Sequence, residues 1–157
     1  MTPLLQLLES QPYPDQNMLP ATDIYNLANA ARPSQYVSCM GFKIVGKDFT
    51  FEPVDEWRVE FHEGSIVTFE LNRRRQSSGL YVSFKDGSLI VSEDAFAFSI
   101  KEDSPAGTYV IGIPNTEDVW ATLSWDNNTP VIVQSHPDPH GPHPTTQLWL
   151  FEKVCRC

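Results

Sequence analysis

The segment Gly64-Ser65-Ile66-Val67-Thr68-Phe69 reads as a turn feeding a strand, and it has counterparts on either side. Asp23-Ile24-Tyr25 precedes it and Thr108-Tyr109-Val110 follows it, the latter again behind a glycine, Gly107. Aligning Tyr25, Val67 and Tyr109 gives two steps of 42 residues. Glycine suits the turn before such a strand because it accepts backbone angles that other residues avoid. A second apolar run follows each opening: Tyr36-Val37-Ser38, Tyr81-Val82-Ser83 and Trp120-Ala121-Thr122. A third follows that: Lys43-Ile44-Val45, Leu89-Ile90-Val91 and Val131-Ile132-Val133. Trp57-Arg58-Val59, Phe98-Ser99-Ile100 and Trp149-Leu150-Phe151 close the three units. Runs this short, rich in Val, Ile, Phe and Tyr and bounded by turn residues, are strands. Beyond the N-terminal leucines no window keeps a helical period for three turns.

Four strands in each of three units predict an all-β chain of twelve strands. Three pseudo-repeats of this kind specify a β-trefoil, a six-stranded barrel closed by three hairpins. One unit cannot bury its own apolar face, whereas three around an axis can, and closure removes exposed strand edges. A seven-strand sandwich, the competing architecture, predicts no 42-residue step. Period-two alternation places Trp57 with Val59, and Trp149 with Phe151, on a buried face. Trp120 aligns with Tyr36 and Tyr81, which assigns it to the core. The third and closing runs are 13, 8 and 17 residues apart, measured Ile44 to Trp57, Ile90 to Phe98 and Ile132 to Trp149. Units one and three therefore carry inserted loops. The predicted organisation is an N-terminal arm, residues 1–22, and one trefoil domain, residues 23–157.

Charge narrows the partners. The 157 residues contain 20 Asp+Glu against 11 Lys+Arg, a net charge of −9. Phosphate binding needs clustered Lys and Arg, so nucleic acid is not an expected partner. No apolar run approaches the ~20 residues of a membrane-spanning helix, so no membrane partner is expected. Leu4, Leu5, Leu7 and Leu8 are interrupted by Gln6 and lack a preceding basic residue, unlike a secretory signal. Three cysteines, Cys39, Cys155 and Cys157, make an odd set. Free thiols without a signal lead to the expectation of a cytoplasmic protein.

Four loops carry the remaining chemistry. In Asn29–Ser34, Pro33 biases Arg32 to an extended conformation. An extended Ala31-Arg32-Pro33 is either an ordinary turn or a bait for a protease pocket that holds a carboxylate. The loop from Gly46 to Asp55 contains Pro53, and its Phe49 and Phe51 either cap the barrel or face a partner, with capping preferred. In the loop Asn72–Gly79, Arg73, Arg74 and Arg75 stand consecutively in an acidic chain. That loop reads as a projecting bait for a protease preferring Asn or a basic residue, or as a solubilising tip. The last loop, Ser135–Pro144, sets His136, His140 and His143 around Asp138. Its four prolines fix each imidazole at a different angle, so it reads as a rigid surface loop and not as a metal site. No cofactor is implied.

Catalytic signatures are missing: there is no G-x-S-x-G, no H-E-x-x-H and no P-loop. Cys39 falls in a predicted strand, which makes it a structural thiol, and the chain reads as a non-enzyme. The three units, the late Pro-rich loop and the closing Thr146-Gln147-Leu148-Trp149-Leu150-Phe151-Glu152-Lys153-Val154 resemble the β-trefoil protease inhibitors of mushrooms. These are the clitocypin- and macrocypin-like inhibitors of cysteine proteases and their relatives acting on serine or aspartic proteases. The resemblance covers roughly residues 23–154. It implies that Asn29–Ser34 and Gly46–Pro53 together plug a papain-like cleft. It also implies that Asn72–Ser78 engages asparaginyl endopeptidase through Asn72, or trypsin through an arginine standing for the family's lysine. A second class competes. Gln147-Leu148-Trp149 fits the Q-x-W pattern of ricin-B-like lectins, whose partners are glycans. The equivalent Asp55-Glu56-Trp57 and Phe96-Ala97-Phe98 do not fit it. Trp120 and Trp125 are the candidate sugar-stacking residues of that reading.

Overall fold

Strands form wherever the apolar runs alternate, and each of the twelve predicted runs lies in one. The computed structural model describes residues 19–50, 53–136 and 141–154. In chain order the strands are β1 (Asp23–Asn29), β2 (Arg32–Met40), β3 (Lys43–Asp48), β4 (Glu56–His62), β5 (Ile66–Arg73) and β6 (Gln76–Lys85). They continue as β7 (Ser88–Ser92), β8 (Phe98–Asp103), β9 (Thr108–Gly112), β10 (Asp118–Thr122), β11 (Thr129–Ser135) and β12 (Trp149–Lys153). One turn of 3-10 helix, Thr145–Gln147, leads into β12.

Antiparallel pairing closes a ring. β1 pairs with β12 and β4, β12 with β9, β9 with β8, β8 with β5, and β5 with β4. The three hairpins β2–β3, β6–β7 and β10–β11 lie outside that ring. Two of their contacts, β11 with β3 and β3 with β7, gather them at one end. A six-stranded barrel capped by three hairpins is the β-trefoil.

The core is aromatic. Trp57, Trp120, Trp149, Phe69 and Phe98 are fully buried. The Phe69 and Trp120 rings lie 5.0 Å apart, and Trp120 meets Trp149 edge-on at 6.1 Å, the geometries that aromatic quadrupoles favour. The indole N–H of Trp57 donates to the Val37 carbonyl at 2.9 Å, and that of Trp149 to the Trp120 carbonyl at 3.2 Å. These equivalent bonds pair Trp120 with Val37, and burial adds Val82. The alignment of Trp120 with Tyr36 and Tyr81 is therefore off by one, although Trp120 is core as expected. A slip of one residue exchanges the faces of a strand, so Tyr36 and Tyr81 lie on the half-buried side. Phe151 is likewise half-buried, its ring 5.6 Å from Tyr25 and 5.2 Å from Tyr109. Upstream of β1, Leu19 packs on the core and Ala21 O accepts the Tyr25 hydroxyl at 2.6 Å. The remainder of the expected N-terminal arm, residues 1–18, lies outside the described residues.

Candidate functional site

The Asn72–Gly79 loop is much tighter than the sequence suggests. β5 runs through Arg73 and β6 begins at Gln76, which leaves Arg74 and Arg75 as the turn. Their φ angles are +52° and +63°. Positive φ at both central residues marks a two-residue turn whose twist matches that of the flanking strands. Arg73, Arg74 and Arg75 all have exposed side chains. Asn72 does not share the tip. It sits in the ladder opposite Glu56 and Ser77 and is only 7% exposed. Presenting Asn72 to a protease would require the end of β5 to open.

Beneath the tip the ladder is irregular. Between Glu70 and Asn72 the register shifts, and β6 carries the extra residues around Gly79. Glu70 fills the irregularity, accepting the Ser77 hydroxyl and the Gly79 amide, the latter at 2.9 Å. The Ser78 hydroxyl donates to Leu71 O. These bonds tie the base of the hairpin to the barrel and fix the direction of the tip. Arg73 turns back to donate to Cys39 Sγ at 3.4 Å. Burial, and Asp55 beside it, push the Cys39 thiol above its ordinary value, although Arg73 pulls the other way. A protonated, buried thiol is unreactive, in keeping with a structural Cys39. Cys155 and Cys157 lie outside the described residues.

The Asn29–Ser34 segment is shorter still as a loop. Only Ala30 and Ala31 separate β1 from β2, so Arg32, Pro33 and Ser34 belong to a strand. Asn29 explains the tightness: its Oδ1 accepts from Ala31 N at 2.9 Å, and its Nδ2 donates to Thr146 O at 3.1 Å. Arg32 does not stand free. It bonds Asp48 Oδ2 at 3.1 Å and the Trp125 carbonyl at 2.9 Å. Asp48 also accepts the Thr50 hydroxyl at 2.7 Å and its amide at 3.0 Å. These bonds from Thr50, and then the Arg32 charge, hold its carboxyl below the usual value.

The β3–β4 connection joins the same surface. Gly46 lies inside β3 and not in the loop, while Pro53 is exposed in the connection itself. Phe49 is 53% exposed and meets Tyr36 edge-on at 5.8 Å. It covers Tyr36 on the outside and does not cap the barrel. Phe51 lies outside the described residues. Residues 123–128 complete this face. Asp48 N donates to Asn127 Oδ1 at 2.8 Å and Asn128 N to Gly46 O at 2.8 Å. Trp125 is 45% exposed. The Asn127-Asn128 pair between two apolar runs was the available signal for a fixed turn.

In the Pro-rich segment His136 and His143 stack, ring centroids 3.8 Å apart. His136 Nε2 meets Gly141 O at 2.9 Å, and His143 Nδ1 meets Gln147 Oε1 at 2.9 Å. Asp138 and His140 lie outside the described residues. Among the described residues no group of three or more His, Cys, Asp or Glu is placed to hold a metal ion. Likewise no described helix is long and apolar enough to cross a membrane. Gln147 and Trp149 of the Q-x-W motif are both buried, and serve the core.

Comparison with known sequence families and with curated proteins gave no match. Comparison with solved structures did. The ricin B-like lectin of Macrolepiota procera, solved in complex with lactose, is 19% identical with a TM-score of 0.66, over 87% of this chain and 99% of the lectin. A proteinase inhibitor from Coprinopsis cinerea is 15% identical with a TM-score of 0.64, over 87% of this chain and all (100%) of the inhibitor. ThreeFoil, a designed three-fold symmetric protein, is 15% identical with a TM-score of 0.59, over 83% of this chain and 99% of its own. At these identities the likeness is one of fold. The architecture is shared with both a lectin and a protease inhibitor, and chemistry on such a scaffold resides in its loops.

Proposed function

We propose that this chain is a protein inhibitor of proteases that occludes a protease cleft with the β5–β6 hairpin. One observation carries this reading: Arg74 and Arg75 are exposed at a rigid two-residue turn of a chain whose net charge is −9. Arginine is enriched among anchors that dominate protein interfaces, and one such anchor is worth about 2 kcal/mol or more. A tip already held by Glu70 and Ser78 loses little entropy on docking. Its backbone also explains inhibition instead of cleavage. Residues at φ +52° and +63° are not the extended strand that a protease threads through its active site. The arginine fills the pocket while its peptide bonds stay out of line. The target that fits is a serine protease with a carboxylate in its specificity pocket.

The test is inhibition by the full chain of trypsin, papain, asparaginyl endopeptidase and pepsin. Trypsin should be inhibited, and Arg74→Ala with Arg75→Ala should weaken that by about thirtyfold or more. If none of the four enzymes is inhibited at micromolar protein, the reading fails. Inhibition of papain alone would move the site to the Arg32, Asp48 and Phe49 surface. A second reading, a glycan-binding lectin, draws on one observation. Trp125 offers an exposed aromatic face beside Asp126 and Asn127 for a sugar to stack on. A glycan array distinguishes the two, because a lectin should leave all four proteases active.

A further inference from the structure

Between the β2–β3 turn and the β6–β7 hairpin lies a cavity of about 350 Å³. Cys39, Leu71, Leu80 and Val91 floor it, and Phe42, Arg73 and Glu93 stand at its rim. We infer that this cavity binds an apolar amino acid, with the side chain on the floor, the carboxylate on Arg73 and the ammonium on Glu93. The floor follows from the fold. Leu71 and Val91 are inward residues of β5 and β7, both buried, and Leu80 packs half-buried on the same core. The Cys39 thiol, protonated and 7% exposed, behaves there as a small apolar group. The rim is fixed by the turn. Gly41, at φ +65°, reverses the chain between β2 and β3, and the Phe42 carbonyl accepts from Val91 N at 2.9 Å. That bond holds the turn against β7 and leaves the Phe42 ring 79% exposed beside the cavity.

A concave apolar wall with a few polar groups at its edge is the general form of a small-ligand site. Apolar surface gathered in one exposed place marks contact with something apolar. The volume is at the low end of the usual range of about 300–1,000 Å³, which limits the ligand to a single side chain in size. The rim sets its charge. Arg73 makes one hydrogen bond, to the weakly accepting Cys39 Sγ, and no ion pair among the described residues. Glu93 is exposed and likewise has no ion pair among them. The two border the same cavity without pairing with each other. Their charges cancel, so the cavity draws neither an anion nor a cation as such. Held apart, they complement a ligand that carries both signs around an apolar body, which is the chemistry of an apolar α-amino acid. The guanidinium takes the carboxylate in a fork, Glu93 accepts from the ammonium, and the side chain displaces water from the floor. Arg73 turns away from the Arg74–Arg75 tip, so occupancy of this cavity does not depend on whether the tip meets a protease.

The experiment is a titration of the isotopically labelled full chain, followed by NMR at the methyl groups of Leu80 and Val91. The probes are phenylalanine, glycine, phenethylamine and 3-phenylpropionate. Phenylalanine should give saturable shifts at about millimolar concentration. Glycine, which lacks the apolar body, should give none. Phenethylamine lacks the carboxylate and 3-phenylpropionate the ammonium, and each should bind about fivefold more weakly than phenylalanine. Arg73→Gln should remove the advantage of phenylalanine over phenethylamine, and Glu93→Gln its advantage over 3-phenylpropionate. Phe42→Ser should weaken phenylalanine itself. All three variants change exposed side chains, and the dispersion of their amide spectra shows whether they are folded. The inference is overturned by the absence of a saturable shift with phenylalanine, by an equal response to glycine, or by single-charge analogues that bind as tightly as phenylalanine. Retention of both preferences in the Arg73→Gln, Glu93→Gln double variant would do the same. Protease inhibition is read separately, so failure of one assignment is not failure of the other.

Discussion

A methyl group at position 46 would lie 2.7 Å from Cδ and 2.8 Å from Cγ of Gln35. Gly46 is thus required for space and not for an unusual backbone angle. Gln35 is itself 2% exposed, and its Nε2 reaches the carbonyls of Asp126 at 3.3 Å and Ser124 at 3.5 Å. Gly46→Ala should therefore cost about 1–3 kcal/mol by overpacking, measured by urea unfolding. The double change Gly46→Ala with Gln35→Ala should recover part of that loss. A single-variant cost under ~0.5 kcal/mol would mean that Gln35 simply moves aside. Asp48, two residues on, makes a pH prediction. Its ordinary carboxyl value is 3.8, and the folded value is lower because Thr50 and Arg32 favour the charged form. The associated stability is present above 3.8 and is lost as pH falls through the folded value. The indole resonance of Trp125, tied to Asp48 through Arg32, should shift across that acid window. In Asp48→Asn the acid step should be absent.

At the scale of the element, the β5–β6 hairpin sets stability against function. A non-glycine residue in the left-handed region costs roughly 1–2 kcal/mol, and this turn holds two arginines there. Arg74→Gly and Arg75→Gly should each raise stability by up to about 1 kcal/mol, read from the thermal midpoint, while weakening inhibition of trypsin. Lysine at either position should keep the charge and part of the inhibition without the gain in stability. Variants that are more stable and equally inhibitory would show that the turn, and not its side chains, makes the contact. The sequence could not reveal so tight a turn. Asn-Gly or Asp-Gly ordinarily advertises such a hairpin, and neither Arg74-Arg75 nor Ala30-Ala31 contains a glycine. The shape of the first turn comes from Asn29, through a bond to Thr146 more than a hundred positions away. The Arg32–Asp48–Asn127 network joins the first unit to the third in the same way, so its parts were readable one by one but not as a single surface.

At the scale of the molecule, the 42-residue step was readable because each unit repeats the same inward positions, and the barrel requires them. What the step could not fix was the phase inside β2, β6 and β10, where Tyr36, Val37, Tyr81 and Val82 are all plausible core residues by type. The indole bonds settle the phase in β2 and β10, where the closing tryptophan donates to the carbonyl of the inward residue, and the full burial of Val82 settles it in β6. The same bonds separate the four tryptophans by role. Trp149 lies in β12, the strand that joins β1 to β9 and so closes the ring, and it is buried against Trp120. Trp149→Ala should destabilise by about 3–5 kcal/mol through the cavity it leaves, with the Trp120 carbonyl losing its donor in addition. Against a typical total of ~5–15 kcal/mol, that brings the fold close to its limit. Trp125→Ala, at an exposed ring, should stay within about 0.5 kcal/mol. Equal losses for the two, measured by denaturant unfolding, would mean that the closing motif does not hold the barrel. A large loss for Trp149 with none for Trp125 places the Q-x-W tryptophan in the scaffold and leaves Trp125 free for recognition.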